Sequence, residues 1–296
     1  MKKLFILYIL LLSCVADASA ETIARVGGQE ISRADMGYRM AVENAYGNET
    51  ITEAVALIAL VNDAIEQEVG RINGVTITPD ELSSMRRHAD ETSKAPEILA
   101  QVKQAFGNNL AAYDRIYLSP RIMNRKLRSW YSRNADIHKK ERAAIEQAYS
   151  LVQAGKSFEE SSQACGLNHT TSDYKTEAAA VPEALLPYAP EKGASSDDPM
   201  TAILKTLSEG AVYRNIVEDD NSYQVLRLMK KDGSTYKVEA ITTRKRPFQE
   251  WFQEQEDKVD ITILDKSLEK EITTKFLEVP WVKKRQQKKG RTRIGF

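Results

Sequence analysis

Cysteine is nearly absent from this chain: Cys14 and Cys165 are its two thiols. Removal of the first twenty residues would leave only Cys165 and exclude an internal disulfide, so stability has to come from packing. Cys165 follows an amphipathic helix and reads as a small buried hydrophobe rather than a reactive thiol. Histidine is scarce too. His88, His138 and His169 stand far apart, with no H-x-x-x-H or C-x-x-C spacing to hold a metal. No G-x-S-x-G elbow and no glycine-rich phosphate loop is present; Gly27-Gly28 lies in a turn before Gln29. No metal and no cofactor is therefore expected. A charge excess is also missing, since 42 basic residues balance 42 acidic ones. No global field points toward nucleic acid. Beyond the first twenty residues no apolar run approaches the length of a membrane span.

What is present begins with a targeting pattern. "MKK" supplies a positive start, "LFILYILLL" an apolar stretch, and "ADASA" a small-x-small site at Ala18 and Ala20. Residues 1–20 are expected to be a signal peptide, with a mature chain starting at Glu21 in the periplasm. "LLSC" resembles a bacterial lipobox and keeps a second reading open, a lipoprotein anchored through Cys14.

Residues 21–135 are dense with helix signals. "ARVGGQEISRADM" reads as strand, turn and strand, followed by a helix capped by Ser32 with Asp35 at the third position. The next helix carries a stripe of Ile58, Val61, Ile65, Val69 and Ile72 and stops at Asn73-Gly74. "TITPDEL" starts another, with Thr78 as cap, Pro79 in the first turn and Glu81 closing a capping box. A later helix has to kink or restart at Pro120.

Residues 136–246 read differently. "DIHKKERAAIEQAYSLVQAGKSFEESSQACG" gives a helix stopped at Gly155 and a second capped by Ser157, with Glu160 three residues on. His138 falls among Lys139, Lys140, Glu141 and Arg142 and is expected in water, as is His88. From Gly166 to Pro199 the chain is expected to be an irregular loop holding an exposed His169. A short helix follows, and then two strands around Asp232-Gly233. In the first strand Gln224, Leu226 and Leu228 alternate with Tyr223, Val225, Arg227 and Met229. Helices followed by antiparallel strands predict an α+β class. The chain returns to helix after Pro247, and residues 283–296, with seven basic groups and no acid, are expected to form a disordered tail. That tail offers weak contact with a membrane surface.

"IARVGGQEISRADM", "ALIALVNDAIEQEVGRINGVTITPDEL" and "QVKQAFGNNLAAYDRIYLSPRIMNRKL" together resemble the N-terminal domain of SurA-like periplasmic chaperones. "GVTITPDE" matches that family's step from a hydrophobic helix into the next one. "AYSLVQAGKSFEESSQACG" and "LKTLSEGAVYRNIVEDDNSYQVLRLMKK" resemble the two ends of a PpiC-type parvulin domain, a peptidyl-prolyl isomerase module. The resemblance implies a helical chaperone domain over 21–135, completed by 247–282 with Trp251 and Phe252 as anchors, and a parvulin-like domain over 136–246. It implies as partners unfolded or partly folded polypeptides, outer-membrane proteins among them. The departures concern catalysis. The family's "HIL" strand and "GGxLG" loop are missing, and in "SYQVLRL" Tyr223 matches the family's tyrosine while Gln224 replaces its histidine. Glutamine cannot titrate or supply an imidazole, so no catalytic residue is expected at this degenerate position. The resulting expectation is a non-catalytic holding chaperone or assembly factor. The alternative is an isomerase with a rearranged site using His169 or Tyr223, and a third reading is a structural subunit of the envelope.

Overall fold

The computed structural model describes residues 21–92, 95–107, 109–175 and 199–292. It has the α+β composition, with two small antiparallel sheets among many helices. The leader, the lipobox and Cys14, the segment 176–198 and the last four residues lie outside the described residues. The chain divides into two compact units, one made of 1–127 with 252–296 and the other of 128–251.

The first unit opens with β1 (Thr22–Val26) and β2 (Gln29–Ser32), a hairpin turned at Gly27. Gly27 has φ +54°, a left-handed conformation that favours glycine in the turn. Four helices follow: α1 (Arg33–Ala45), α2 (Glu53–Ile72), α3 (Pro79–Thr92) and α4 (Pro96–Phe106). Ser32 caps α1 in a complete capping box with Asp35, and Arg115 grips the same carboxylate in a fork at 2.6 and 2.8 Å. A short α5 (Leu110–Tyr113) then passes through one π-helical turn, Asp114–Leu118, into α6 (Ser119–Arg133). The expected restart at Pro120 takes this form. Widening the turn just before the proline gives its ring room without ending the helix.

The stripe expected on α2 widens in the structure. Ala56, Leu57, Leu60 and Ala64 are buried along with Ile58, Val61, Ile65 and Val69, whereas Ile72 is exposed. The extra coverage comes from the end of the chain. There β7 (Ile261–Ile263) pairs with β1, making the sheet order β2-β1-β7. Behind it α11 (Lys266–Lys275) seats Leu268 and Ile272 in the core next to α2. Asp265 caps α11 and also accepts from Arg33 at 2.5 Å, and the Ser267 hydroxyl, the Leu268 N–H and Arg33 together bring its carboxyl down to about 2.

The second unit is a four-stranded sheet in the order β3-β6-β5-β4. Its strands are β3 (Asn168–Lys175), β4 (Val217–Glu218), β5 (Ser222–Asp232) and β6 (Thr235–Arg244). The β5–β6 hairpin turns at Gly233, φ +57°, as Asp232-Gly233 predicts. Helices α7 (Lys139–Gln153) and α8 (Phe158–Cys165) pack Ile145, Ala148 and Phe158 onto Tyr223, Val225 and Ile241 on one face. A short α9 (Pro199–Thr206) brings Leu204 to Leu226, Leu228, Val238 and Ala240 on the other. Alternation along β5 sends successive side chains to opposite layers. Cys165 is a half-buried free thiol packed beside the first of these cores.

Two expectations change here. The segment after Gly166 is not irregular throughout, because Asn168–Lys175 forms β3 along most of β6. The basic end is not a disordered tail from Lys283, because α12 (Pro280–Thr292) is helical and buries Trp281 and Val282 in the first unit. No helix among the described residues is long and apolar enough to cross a membrane.

Candidate functional site

In the first unit the chemistry-bearing surface is an aromatic column. Tyr38 on α1 stacks on Phe106 at 4.9 Å, Phe106 meets Tyr113 edge-on at 5.4 Å, and Tyr113 stacks on Tyr117 at 5.3 Å. The Tyr117 hydroxyl lies 2.7 Å from that of Tyr46, and the Arg121 guanidinium sits 3.8 Å from the Tyr117 ring centre. The π turn matters because it contributes Tyr117 and continues directly from Tyr113. The column runs from a dry interior to water. Phe106, Tyr113 and Tyr117 are buried, whereas Tyr46 is 50% exposed. Leu110 follows Asn109, whose amide reaches the Tyr38 hydroxyl at 3.4 Å, and is 59% exposed. Burial raises the Tyr113 phenol to about 12, with Asp90 adding to the effect. The buried Tyr113 hydroxyl makes no hydrogen bond among the described residues. Sequence reasoning missed this column. The signal was half visible, in the four-residue spacing of Tyr113 and Tyr117 on one helix face.

In the second unit the expected site residues separate. Tyr223 points into the α7–α8 layer and is part of the core. Burial, and then the neighbouring Glu218, push its phenol above the usual range. Gln224 points the other way. Its amide donates to Asp219 Oδ2 at 3.2 Å and to Ser222 Oγ at 3.1 Å, which ties it to the turn that starts β5. His169 is not an exposed loop residue. It lies on β3 and makes a 2.9 Å contact with Glu239, whose other oxygen takes the Arg227 guanidinium at 2.6 Å. Glu239 and Arg227 share the Tyr223 face of the sheet, so Gln224 and His169 lie on opposite faces and cannot line one pocket. His88 lies on α3 of the first unit.

His138 is the clearest correction. It is fully buried at the start of α7, not in water. Its Nε2 is 3.0 Å from the Tyr131 carbonyl, its ring meets the Tyr131 ring edge-on at 4.8 Å, and its Nδ1 is buried without a hydrogen bond. A carbonyl accepts only from N–H, so a hydrogen sits on Nε2. Burial depresses its pKa, and the Lys245 charge adds to that. Lys245 is itself buried. Its ammonium donates to the Ser132 carbonyl at 2.6 Å and to Glu218 at 2.8 Å, and it stands 4.8 Å from the Tyr223 ring centre. Nearby, Trp251 packs on Trp130, Tyr131 and Phe248, with ring centres 5.0 to 5.6 Å apart. Trp251 is therefore an anchor of the second unit. Trp130 and Tyr131 belong to the 21–135 stretch onto which Trp251 was expected to dock, although both fall with it in the second unit. In the first unit the chain end is held by Trp281, which donates to Asn62 at 3.0 Å.

This cluster pairs charge but does not pair a nucleophile with a base. Its lysine is held by a carbonyl and a carboxylate, and its histidine has one nitrogen committed to a carbonyl. Among the described residues no three His, Cys, Asp or Glu side chains converge to hold a metal. No protein-family model matches the chain, and no curated protein matches its sequence.

Proposed function

We propose that this chain is an exported, SurA-like holding chaperone of the cell envelope, binding unfolded or outer-membrane-bound polypeptides without turning over their prolyl bonds. In this reading 136–246 is a parvulin-like domain whose isomerase pocket has been lost, and the first unit holds the client. The observation that carries it is the aromatic column ending in exposed Tyr46, with exposed Leu110 on the short helix that bears Tyr113. Rigid aromatic rings bind many sequences at low entropic cost, which suits a surface that must accept varied unfolded segments. The leader pattern and the "GVTITPDE" step agree with this role. The commitment of Gln224 to Asp219 and Ser222, and of Tyr223 to the core, agrees with the absence of turnover.

The test is suppression of aggregation of a denatured polypeptide as it is diluted from denaturant. The chain should suppress it in proportion to its concentration, and Tyr46→Ser with Leu110→Ser should weaken the effect by roughly tenfold, the worth of about two lost apolar contacts. In parallel, cis–trans exchange of a short proline peptide should run at its uncatalysed rate. No suppression at large molar excess would remove the holding role. Acceleration of exchange that falls on mutating Tyr223 or His169 would replace it with a rebuilt isomerase.

A further inference from the structure

The backbone at the edge of a sheet carries N–H and C=O groups that a further strand can pair. In the first unit both edge strands are short, four residues in β2 and three in β7. In the second unit the edge beyond β5 is occupied. There β4 pairs with Tyr223 and Gln224, and the stretch from Gly210 to Tyr213 runs alongside. The Gly210 N–H donates to the Leu228 carbonyl at 2.7 Å, the Leu228 N–H to the Ala211 carbonyl at 3.0 Å, and the Tyr213 N–H to the Leu226 carbonyl at 2.8 Å. The opposite edge, β3, is different. It pairs with β6 residue for residue, from Asn168–Thr242 to Lys175–Thr235, without a bulge. Among the described residues nothing pairs with its outer side. Its eight residues, "NHTTSDYK", include no proline or glycine, and Thr170 to Asp173 are exposed. A regular, unbulged edge of this length is a template for another strand.

We infer that β3 is the contact through which two copies of this chain pair edge to edge, joining their sheets about a two-fold axis at Thr171. Antiparallel pairing of a strand with its own copy sets residues equally far from the axis opposite one another, on the same face. With the axis at Thr171, that residue meets its own copy, Thr170 meets Ser172, His169 meets Asp173, and Asn168 meets Tyr174. Hydroxyl then faces hydroxyl, amide faces phenol, and each imidazole faces a carboxylate, all of them pairings that support a sheet. The neighbouring registers are worse. An axis at Ser172 sets His169 opposite Lys175, two basic groups, and an axis at Asp173 sets two carboxylates face to face. A second copy also suits this edge better than an unfolded client does. Tyr174 is its one large ring, and hydroxyl, amide and charged side chains fill the rest, so it offers an apolar segment little beyond backbone hydrogen bonds. This inference does not depend on the holding role.

The test uses the chain from Glu21 onward, which carries every described residue. Residues 168–174 of each copy make a small interface, so sedimentation should show a monomer–dimer equilibrium with a Kd of about 10–100 µM. Thr171→Lys opposes two ammonium groups on the axis and should weaken the dimer at least about tenfold. Thr171 is exposed, so the variant should melt as the unaltered monomer does. Oxidation in a Cys165→Ser background reads the register. Thr171→Cys should crosslink to its own copy, because directly opposed Cα atoms lie about 4.5–5.5 Å apart. Asp173→Cys should not, because its copy would sit four residues along the strand, roughly 13 Å away. A monomer at about 1 mM, tenfold above the expected range, would overturn the inference. So would self-association that Thr171→Lys leaves unchanged, or crosslinking by Asp173→Cys in preference to Thr171→Cys. Crosslinking of Thr171→Cys to an added thiol-bearing denatured polypeptide instead of to itself would overturn it too, and would assign the edge to a client.

Discussion

The two units solve the same problem, how to keep polar groups inside a small core, in opposite ways. The helical unit buries aromatic rings and leaves individual atoms short of partners, such as the Tyr113 hydroxyl. It also holds the half-buried Asp63, raised to about 6 because lost solvation outweighs the Arg39 guanidinium 3.0 Å away. The sheet unit buries a cation instead and pairs it, with Lys245 held between Ser132 and Glu218. Among the described residues its buried atoms without a partner are the His138 Nδ1 and the Ser161 Oγ. One unit therefore stores an acid it would prefer protonated, the other a base it would prefer neutral. The two cores can thus respond to acid with opposite signs.

The largest expected effect tests whether the cores are separate at all. Phe158→Ala empties the layer under α8 and should cost about 3–5 kcal/mol in the sheet unit. Leu57→Ala should cost about 2–5 kcal/mol in the helical unit. Trp130 and Trp251 report the sheet unit and Trp281 the helical unit, so single-tryptophan variants read the two transitions apart. Phe158→Ala should lower the first transition and leave the second. A common shift of both would merge the two units into one cooperative whole.

Acid gives the next effect and the sharpest contrast. In the unfolded chain His138 gains a proton as pH falls through about 6.5, but the buried ring resists it. The sheet unit keeps its full stability above that pH and loses it as pH falls below. Asp63 works the other way. Its folded pKa of about 6 lies above the usual 3.8, so its penalty is present above pH 6 and is relieved as pH falls from 6 toward 4. Between those values the helical unit should gain as the sheet unit loses. Below about 4.5 the gain reverses, because Glu81 and Asp265, both held down to about 2, begin to protonate in the unfolded chain. Denaturant titrations across this range should show the opposite slopes, flattened by His138→Phe in one unit and by Asp63→Asn in the other. Parallel slopes would break the comparison.

The smallest effects are shared. Ser32→Ala and Ser157→Ala each remove the donor-satisfying side chain of a capping box and should cost about 1 kcal/mol, one in each unit. Unequal melting shifts would show that one helix start is held by packing more than by its cap.

These caps also mark what could be read from residues alone. Ser32 with Asp35, Thr78 with Glu81, and Ser157 with Glu160 act within three residues, so their chemistry is local and visible. Asp232-Gly233 is visible for the same reason. What could not be read is set by distant partners. The segment "NHTTSDYK" has no apolar alternation, and β6 supplies its register some sixty to seventy residues later. His138 looks solvated among charged neighbours and is buried only because the Tyr131 carbonyl and ring accept it. The aromatic column draws Tyr38 and Tyr46 from one helix and Phe106, Tyr113 and Tyr117 from segments beyond two others. No window of sequence contains it. The basic end looked disordered because charge dominates its composition, although one indole finding Asn62 fixes its root.

The central claim is that the helical unit holds the client and the sheet unit does not. A photo-crosslinking residue placed at Leu110 in the first, or at 41% exposed Met229 in the second, tests it directly. With a denatured polypeptide presented to the full chain, Leu110 should crosslink and Met229 should not, and excess unlabelled polypeptide should suppress the Leu110 product. Equal crosslinking at both positions, or crosslinking at Met229 alone, would contradict the account.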